Sequence, residues 1–552
     1  MSSKDLRSLS DPSGALDLLR KIIDDSVRLN AFPSEAAIRA QVAGPWLVDD
    51  LLRAGLLASS GSFLVPTIEG LKAVQTPAAD KSLKEARQIF SRLRELYVEL
   101  PHRHQESWEI ARHLGFDTNL VGRLIAQLTA SASIASTWSP ESESWRAVSI
   151  LLSDRVLSED PFRAASGETP GEPGPVTLIA RDFRGLAQVE WSPEGVCLVA
   201  GSNGSGKTTL LEAFAFLRDA FARGVPQAVR LQRGAAGLRR VGAGGPPEVI
   251  LGLKIGEVTW ELRLAVDGGA VSELPGETAK AGSTVIVRRA AYAPEWYLGR
   301  ERRGPDDEAG RTCLRAAWDA TADPRLSPLV ESLRSFQGYG SYALDALRDG
   351  GIGGEADAVL DRAGHNLFVV LRNWKTAPRR FRGQFDWVIR QARRAFPGVI
   401  DDIELDPPVG QIVPARFFPP GSREALPMSR AADGLLVGLL HLCAVAGARD
   451  GAVIAIDEME NQLHPHAIRS LLASMREIAE ERRLTVLLTT HSPVLMNEFR
   501  EHPEQFFVME PGQPVLPVPL DRIRDPDWLA HFSLGDLYDR MEFGAPSSVQ
   551  GG

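Results

Sequence analysis

The chain has 552 residues, 44% hydrophobic and 24% charged, a balance that fits two to four folded domains and excludes a disordered or fibrous chain. A formal net charge of −9 excludes a uniformly basic nucleic-acid binder but leaves room for a local basic patch. Cys197, Cys313 and Cys443 are scattered without disulfide or zinc spacing and the N-terminus is polar without a leader pattern, so a cytoplasmic protein is expected.

In chain order, residues 34–74 read as a helix, a turn, a second helix ending at Gly55, a short hairpin and a final helix. Residues 108–138 repeat this plan with Gly115 at the turn. Both are similar to winged helix-turn-helix domains, so residues 1–78 and 79–157 are expected to form two small winged-helix-like α+β domains. Such domains either read DNA with their second helix or serve as docking modules. Charge favours docking. The second helix of the first segment carries Asp49 and Asp50 against Arg53, and that of the second offers Arg123 against Asp117. Residues 1–150 hold 17 basic and 18 acidic side chains, a poor phosphate-binding balance.

Residues 158–175, rich in Pro, Gly and small polar residues, read as a linker. Beyond it, residues 176–552 change texture. Strands are expected at 196–200, 248–265 and 284–292, a helical, arginine-rich insertion at about 300–400, and alternating helix and strand from 434 to 492. That pattern is an α/β sheet with a helical insertion. The longest apolar run, 434–448, is too short to span a bilayer and contains His441, so it reads as a buried helix and no membrane association is expected.

Gly201-Ser202-Asn203-Gly204-Ser205-Gly206-Lys207-Thr208 matches the phosphate-loop pattern between an apolar strand and a helix. Its backbone N–H groups, with Thr209, would wrap phosphates. Lys207 would pair with the β- and γ-phosphates of ATP and Thr208 would ligate Mg²⁺. The apolar run 452–456 ends in Asp457-Glu458, which places Asp457 to hold the metal and Glu458 to polarise an attacking water. A further apolar strand, 484–488, leads to His491, positioned to touch a γ-phosphate.

Together with "AGHNLFVVL" (363–371), "IDEMENQLHPH" (456–466), "TTHSP" (489–493) and "SLGDLYDRMEFGA" (533–545), these motifs resemble the ABC-type AAA ATPases, in the branch of RecF-like and OLD-like proteins of DNA repair and anti-phage defence. The resemblance implies a P-loop NTPase of ABC-ATPase type with a helical insertion, preceded by the two winged-helix domains. It also implies head-to-tail dimers, or higher oligomers, closed around Mg-ATP. In these a signature helix of one subunit faces the phosphate loop of the other; by position Asp433 and Gly434 fall on that signature, with Ala432 where the family usually has serine and Ser429 as the nearest hydroxyl. Glu295 stands where the family has a glutamine-bearing loop. The chain has no heptad run for coiled-coil arms and about 40 residues after the sensor region, too few for a nuclease domain, so a separate effector, for example a nuclease, is expected.

Residues 372–394 hold eight basic side chains interleaved with Trp374, Phe381, Phe385 and Trp387, and residues 218–240 hold six arginines. Arg379, Arg380, Arg382, Arg390, Arg393 and Arg394 form the better DNA- or RNA-binding candidate; the bland alternative is a solvated face whose aromatics belong to the core. The leading expectation is an ATP-hydrolysing switch. The alternatives are a nucleotide-controlled winged-helix transcription regulator and a non-hydrolysing ATP-dependent scaffold.

Overall fold

In a computed structural model the chain divides into two compact units, Met1–Thr169 and Pro170–Gly552. The described residues are 10–151 and 175–543, apart from 43, 61, 75, 100–105, 131–134, 139–146, 233, 245, 268–269, 273, 305–309, 352–358, 377–380, 382, 408–411, 511–514, 526–528, 530 and 541–542. The expected linker, 158–175, falls almost wholly outside them. No described helix is long and apolar enough to cross a membrane.

The first unit opens with helix Pro12–Leu29, where Pro12 occupies the first helical position and the Asp11 carboxylate accepts from Gly14 N–H at 3.0 Å. Helices Glu35–Gln41 and Trp46–Arg53, the hairpin Leu57–Ser60 with Phe63–Pro66, and helix Ile68–Ala73 follow. After helix Pro77–Glu99 come helices Ser107–Leu114 and Thr118–Ala130 and a second hairpin, Ala135–Trp138 with Ala147–Leu151. Arg123, weighed in the sequence as the basic residue of a possible DNA-reading helix, is 1% exposed. Helix Thr118–Ala130 packs against helix Pro77–Glu99 on one side and the first hairpin on another, so residues 121–128 are buried all round. The Arg123 guanidinium donates to Asn30 and Ser82, and burial pulls its pKa down to about 10. Asp49 pairs with Arg39, and Asp50 with Arg53 and the Ser10 N–H, so these charges are engaged within the unit.

The second unit is built on two large sheets, beside a small antiparallel one of Asp402–Leu405, Ala415–Phe418 and Leu426–Pro427. One large sheet is antiparallel, with strands in the order Glu301–Arg303, Trp296–Leu298, Thr284–Arg289, Gly276–Ala281, Val258–Asp267, Glu248–Ile255, Val176–Phe183 and Leu186–Trp191. The single strand expected at 248–265 is two, because Gly256-Glu257, with Gly256 at φ +57°, makes a two-residue hairpin turn. Buried Glu277 ties this sheet to helix Cys313–Thr321: its carboxylate accepts from the N–H groups of Cys313 and Leu314 at 2.6 and 2.7 Å and from the Trp260 indole at 2.9 Å.

The other sheet has the order Gln337–Tyr339, Val453–Ile456, Thr485–Thr489, Val196–Ala200, Phe506–Val508 and Val518–Pro519, parallel except for the last pair. Its four inner strands are buried on both faces, which explains their unbroken apolar runs. Successive side chains go to opposite cores. Val196, Leu198, Ile454 and Ile456 join one with Trp374, Leu436 and Leu440; Cys197, Val199, Val453 and Ala455 join another with Phe214, Trp260 and Leu329.

The helical insertion needs correcting: Glu301–Arg303 at its start belongs to the antiparallel sheet, and a second strand lies deeper within it. Gln337–Tyr339, inside the 300–400 segment, is a strand paired in parallel with Ile454–Ile456, and the Tyr339 carbonyl accepts from Asp457 N–H at 2.9 Å. Helices Cys313–Thr321 and Ser327–Ser335 before it and Leu367–Thr376 and Gln384–Ala395 after it fill the two cores.

Candidate functional site at the strand ends

Three adjacent parallel strands, Val196–Ala200, Thr485–Thr489 and Val453–Ile456, end on the same side, where a doubly wound sheet binds its ligand. Val196–Ala200 runs into the loop 201–206 and then helix Lys207–Arg223. Gly206 takes the helix N-cap at φ +100°, a conformation only glycine adopts without strain, and a Cβ there would meet the Leu186 side chain at 3.0 Å. Ser205 N–H closes the loop onto the Ser202 carbonyl at 3.1 Å, while Asn203 and Gly204 are exposed at its tip. Lys207 is 6% exposed, and its ammonium donates to the Gly201 and Ser202 carbonyls at 2.9 and 3.1 Å. Burial pulls its pKa below the ordinary lysine value, opposed by the charges of Asp457, Glu458 and Glu460.

The carboxylate of Asp457 joins two motifs. Thr208 Oγ1 donates to Asp457 Oδ2 at 2.9 Å, across 249 residues of chain, and Thr489 Oγ1 donates to Oδ1 at 2.5 Å. Thr489 Oγ1 in turn accepts from the Glu458 N–H at 2.8 Å. Glu458 itself is exposed and sits at φ +49°, a conformation that costs a non-glycine residue roughly 1–2 kcal/mol. Its carboxylate accepts from Asn461 Nδ2 at 2.8 Å. The strained turn points this acid out of the strand end, next to the hydrogen-bonded Thr208–Asp457 pair.

These residues fit the metal. A hydroxyl and a carboxylate are hard oxygen donors of the kind Mg²⁺ takes, and Mg²⁺ is usually held by few protein groups, with water and phosphate filling the remaining positions. Among the described residues no group of three or more His, Cys, Asp and Glu forms a self-sufficient metal cage. Ser205 Oγ and Glu460 Oε2 are buried without a hydrogen-bond partner in this same neighbourhood, polar capacity that a ligand would satisfy.

His491 follows the Thr489 strand. Its N–H donates to Glu460 Oε1 at 2.6 Å, and Nδ1 lies 3.4 Å from the Tyr538 hydroxyl. Burial, then the nearby Lys207 cation, lowers its pKa below the ordinary histidine value. Thr489, Glu460 and Tyr538 were not among the residues expected here. Thr489 and Glu460 lie within the sequence motifs, two residues from His491 and Glu458. Tyr538 lay in the closing motif, with nothing local to connect it to residue 201.

The signature stretch begins helix Asp433–Ala446, buried from Leu435 to Ala446. Ala432 is the N-cap at φ −66° and ψ 147°, with no side-chain cap. Asp433 is paired with Arg348, and a Cβ on Gly434 would lie 2.7 Å from the Gln462 carbonyl of the same chain. Ser429 and Ala432 are exposed. Glu295, placed by the family pattern, precedes strand Trp296–Leu298 and is paired with Arg302 across the hairpin.

The arginine stretches separate. Trp374 and Phe385 are buried and Phe381 and Trp387 pack on the same core, so the aromatics between the arginines are not a stacking platform. Arg390, Arg393 and Arg394 are exposed; Arg393 pairs with Asp401 and Arg394 is 4.0 Å from Glu477. Arg379, Arg380 and Arg382 lie outside the described residues. In the other stretch, Arg239 and Arg240 join Arg184, Thr209 and Gln232 around a cleft of about 610 Å³. Thr209, next to the phosphate loop, lines the cleft, and local spacing does not show it because remote segments meet there: Arg184 N–H donates to the Leu238 carbonyl and Arg240 N–H to the Asp182 carbonyl.

Residues 196–497 match a protein family described as "AAA domain, putative AbiEii toxin, Type IV TA system". Among curated proteins none matches the chain. Similar solved structures include an SMC head bound to the C-terminal winged-helix domain of ScpA, at 13% identity, TM-score 0.37, covering 61% of this chain and 94% of that one. Another is an Smc head with an extended coiled coil bound to the C-terminal domain of ScpA, derived from Pyrococcus furiosus, at 13% identity, TM-score 0.37, covering 63% and 97%. A third is the SMC head domain from Thermotoga maritima, at 12% identity, TM-score 0.30, covering 61% and 94%. With the family match spanning more than half of its residues, the chain belongs to this AAA-domain family.

Proposed function

We propose that the protein is an ATP-binding and ATP-hydrolysing switch. The observation that carries this reading is the hydrogen bond from Thr208 to Asp457 beside Lys207, which joins phosphate loop and acidic strand end at one point. Thr208 and Asp457 would hold Mg²⁺, which when bound neutralises charge on the β- and γ-phosphate oxygens. Lys207 would leave the Gly201 and Ser202 carbonyls to pair with those phosphates. Glu458 would orient and deprotonate the attacking water, and His491 would contact the γ-phosphate. The arginine-lined cleft beyond Thr209 supports placing the base and ribose there.

The switch closes when two copies sandwich nucleotide, with Asp433 and Gly434 of one facing the phosphate loop of the other. Closure controls a separate effector or grips nucleic acid, through Arg390, Arg393 and Arg394 together with Arg379, Arg380 and Arg382. The setting is cytoplasmic, in anti-phage defence or DNA repair, and the N-terminal unit is a pair of winged-helix docking modules. The inward-facing Arg123 supports docking over DNA reading.

A second reading, an ATP-dependent scaffold that does not turn over, draws support from the uncapped Ala432 and the pinned Asp433. Steady-state phosphate release separates the two. Hydrolysis in the wild type that is lost in both Lys207→Ala and Glu458→Gln supports the switch, with Glu458→Gln dimerising on Mg-ATP. Hydrolysis surviving in both variants overturns it.

A further inference from the structure

From the closing motif, 533–545, one side chain reaches the site from the far end of the chain. The Tyr538 hydroxyl, on helix Leu534–Asp539, donates to the Gly201 carbonyl at 2.9 Å and lies 3.4 Å from His491 Nδ1. The same carbonyl accepts from Lys207 Nζ at 2.9 Å, so both of its lone pairs are engaged. The helix is anchored: Ser533 caps it, Asn497 Oδ1 accepts from Gly535 N–H at 3.0 Å, and the Tyr538 ring packs 5.9 Å from Phe543.

A hydroxyl has one proton, and that decides the histidine's state. With the Tyr538 proton on Gly201, the oxygen can only accept from His491, so Nδ1 carries the imidazole proton and Nε2 is bare. A neutral histidine that donates Nε2–H to a phosphate oxygen has a bare Nδ1, which requires a donor. Tyr538 is within reach to be that donor, at the cost of its bond to Gly201. The proton count is unchanged: the hydroxyl turns from the Gly201 carbonyl to Nδ1, and the ring proton passes from Nδ1 to Nε2 through solvent.

We propose that Tyr538 is a positioning residue whose hydroxyl alternates between the Gly201 carbonyl and His491 Nδ1, setting the histidine tautomer and linking phosphate contact to the C-terminal helix. The inference rests on the reading of His491 as the γ-phosphate contact. Glu460, which fixes the His491 backbone at 2.6 Å, leaves ring rotation and tautomer to Tyr538.

The test is a double-mutant cycle on the full chain with Tyr538→Phe, which keeps the ring against Phe543, and His491→Ala. The expected result for Tyr538→Phe is a roughly ten-fold lower kcat with KM for ATP within about two-fold, because a contact made during turnover is lost and ground-state binding is kept. In the His491→Ala background the same change should cost less than two-fold. A full ten-fold further loss there would overturn the proposal and make Tyr538 a prop for the phosphate loop alone. Unchanged hydrolysis in Tyr538→Phe, with His491→Ala impaired, also overturns it while the role of His491 stands. Unchanged hydrolysis in His491→Ala removes the underlying reading, and the inference with it. A Tyr538→Phe thermal midpoint equal to the wild type's, with unchanged fluorescent-ADP binding, distinguishes a tautomer effect from a folding defect, which would overturn it.

Discussion

Helices Lys207–Arg223 and Asp433–Ala446 both have a glycine at or next to their first turn and no side-chain cap. Their free N–H groups are equivalent; their surroundings are not. At the first stand Lys207, the Thr208 hydroxyl and the unpartnered Ser205 hydroxyl, a cationic and hydrogen-bonding surrounding that suits an anion. At the second, the first turn holds Asp433, whose charge suits the helix dipole but repels an incoming phosphate, and Arg348 is needed to balance it. A helix N-terminus is thus an anion site only when its neighbours agree. The loop 201–206 has that agreement around it, while helix Asp433–Ala446 has an acid and its ion-pair partner instead.

The largest way to break the comparison is at the loop. Lys207→Ala should lower kcat by roughly 10²–10³-fold, the loss typical of removing one oriented electrostatic donor. A smaller loss, measured by phosphate release, would make the two helix ends alike.

The next largest lies in the body of helix Asp433–Ala446. His441 is buried in it with Nδ1 unpartnered, and burial pushes its pKa from 6.5 down to about 3. Above pH 6.5 the imidazole is neutral in folded and unfolded chains alike and its contribution is level. Below that, only the unfolded chain takes up the proton, so stability falls toward pH 3 by up to about 1.4 kcal/mol per pH unit. Urea unfolding between pH 6.5 and 5 should therefore show a shallower dependence in His441→Leu than in the wild type. Parallel pH curves would contradict this.

Gly434→Ala should be destabilising by about 1–3 kcal/mol, since the added Cβ meets the Gln462 carbonyl at 2.7 Å and overpacking outweighs the ~1 kcal/mol gain in helix propensity. A gain in the urea midpoint would show that the close approach relaxes freely. The smallest effect sharpens the comparison. Ala432→Ser places a hydroxyl at an extended N-cap and should stabilise by about 0.5–2 kcal/mol. If the helix also faces nucleotide across a dimer, hydrolysis should rise; a stabilised protein with unchanged turnover would limit the hydroxyl to capping.

Much of the site could be read locally because strand, loop and helix are consecutive there. The apolar run before Gly201 and those before Asp457 and His491 are strands in the structure, Val196–Ala200, Val453–Ile456 and Thr485–Thr489, since full burial on two faces leaves an unbroken apolar signature. Gln337–Tyr339 escaped notice because three residues carry no periodicity and their partner strand lies more than 100 residues away. The arginine stretch at 372–394 misled in part, because composition does not say that Trp374 and Phe385 face inward.

The sequence by itself determined the residue types of the phosphate loop, the acid pair, and the apolar runs that carry them, because these depend on neighbours in the chain. Only the tertiary structure decided that Thr208 meets Asp457, that Arg123 is buried, that Asp433 is answered by Arg348, and that Tyr538 reaches Gly201 and His491. Each depends on sheet order and packing between segments remote in the chain, and a contact across 249 or 337 residues leaves no trace in local spacing.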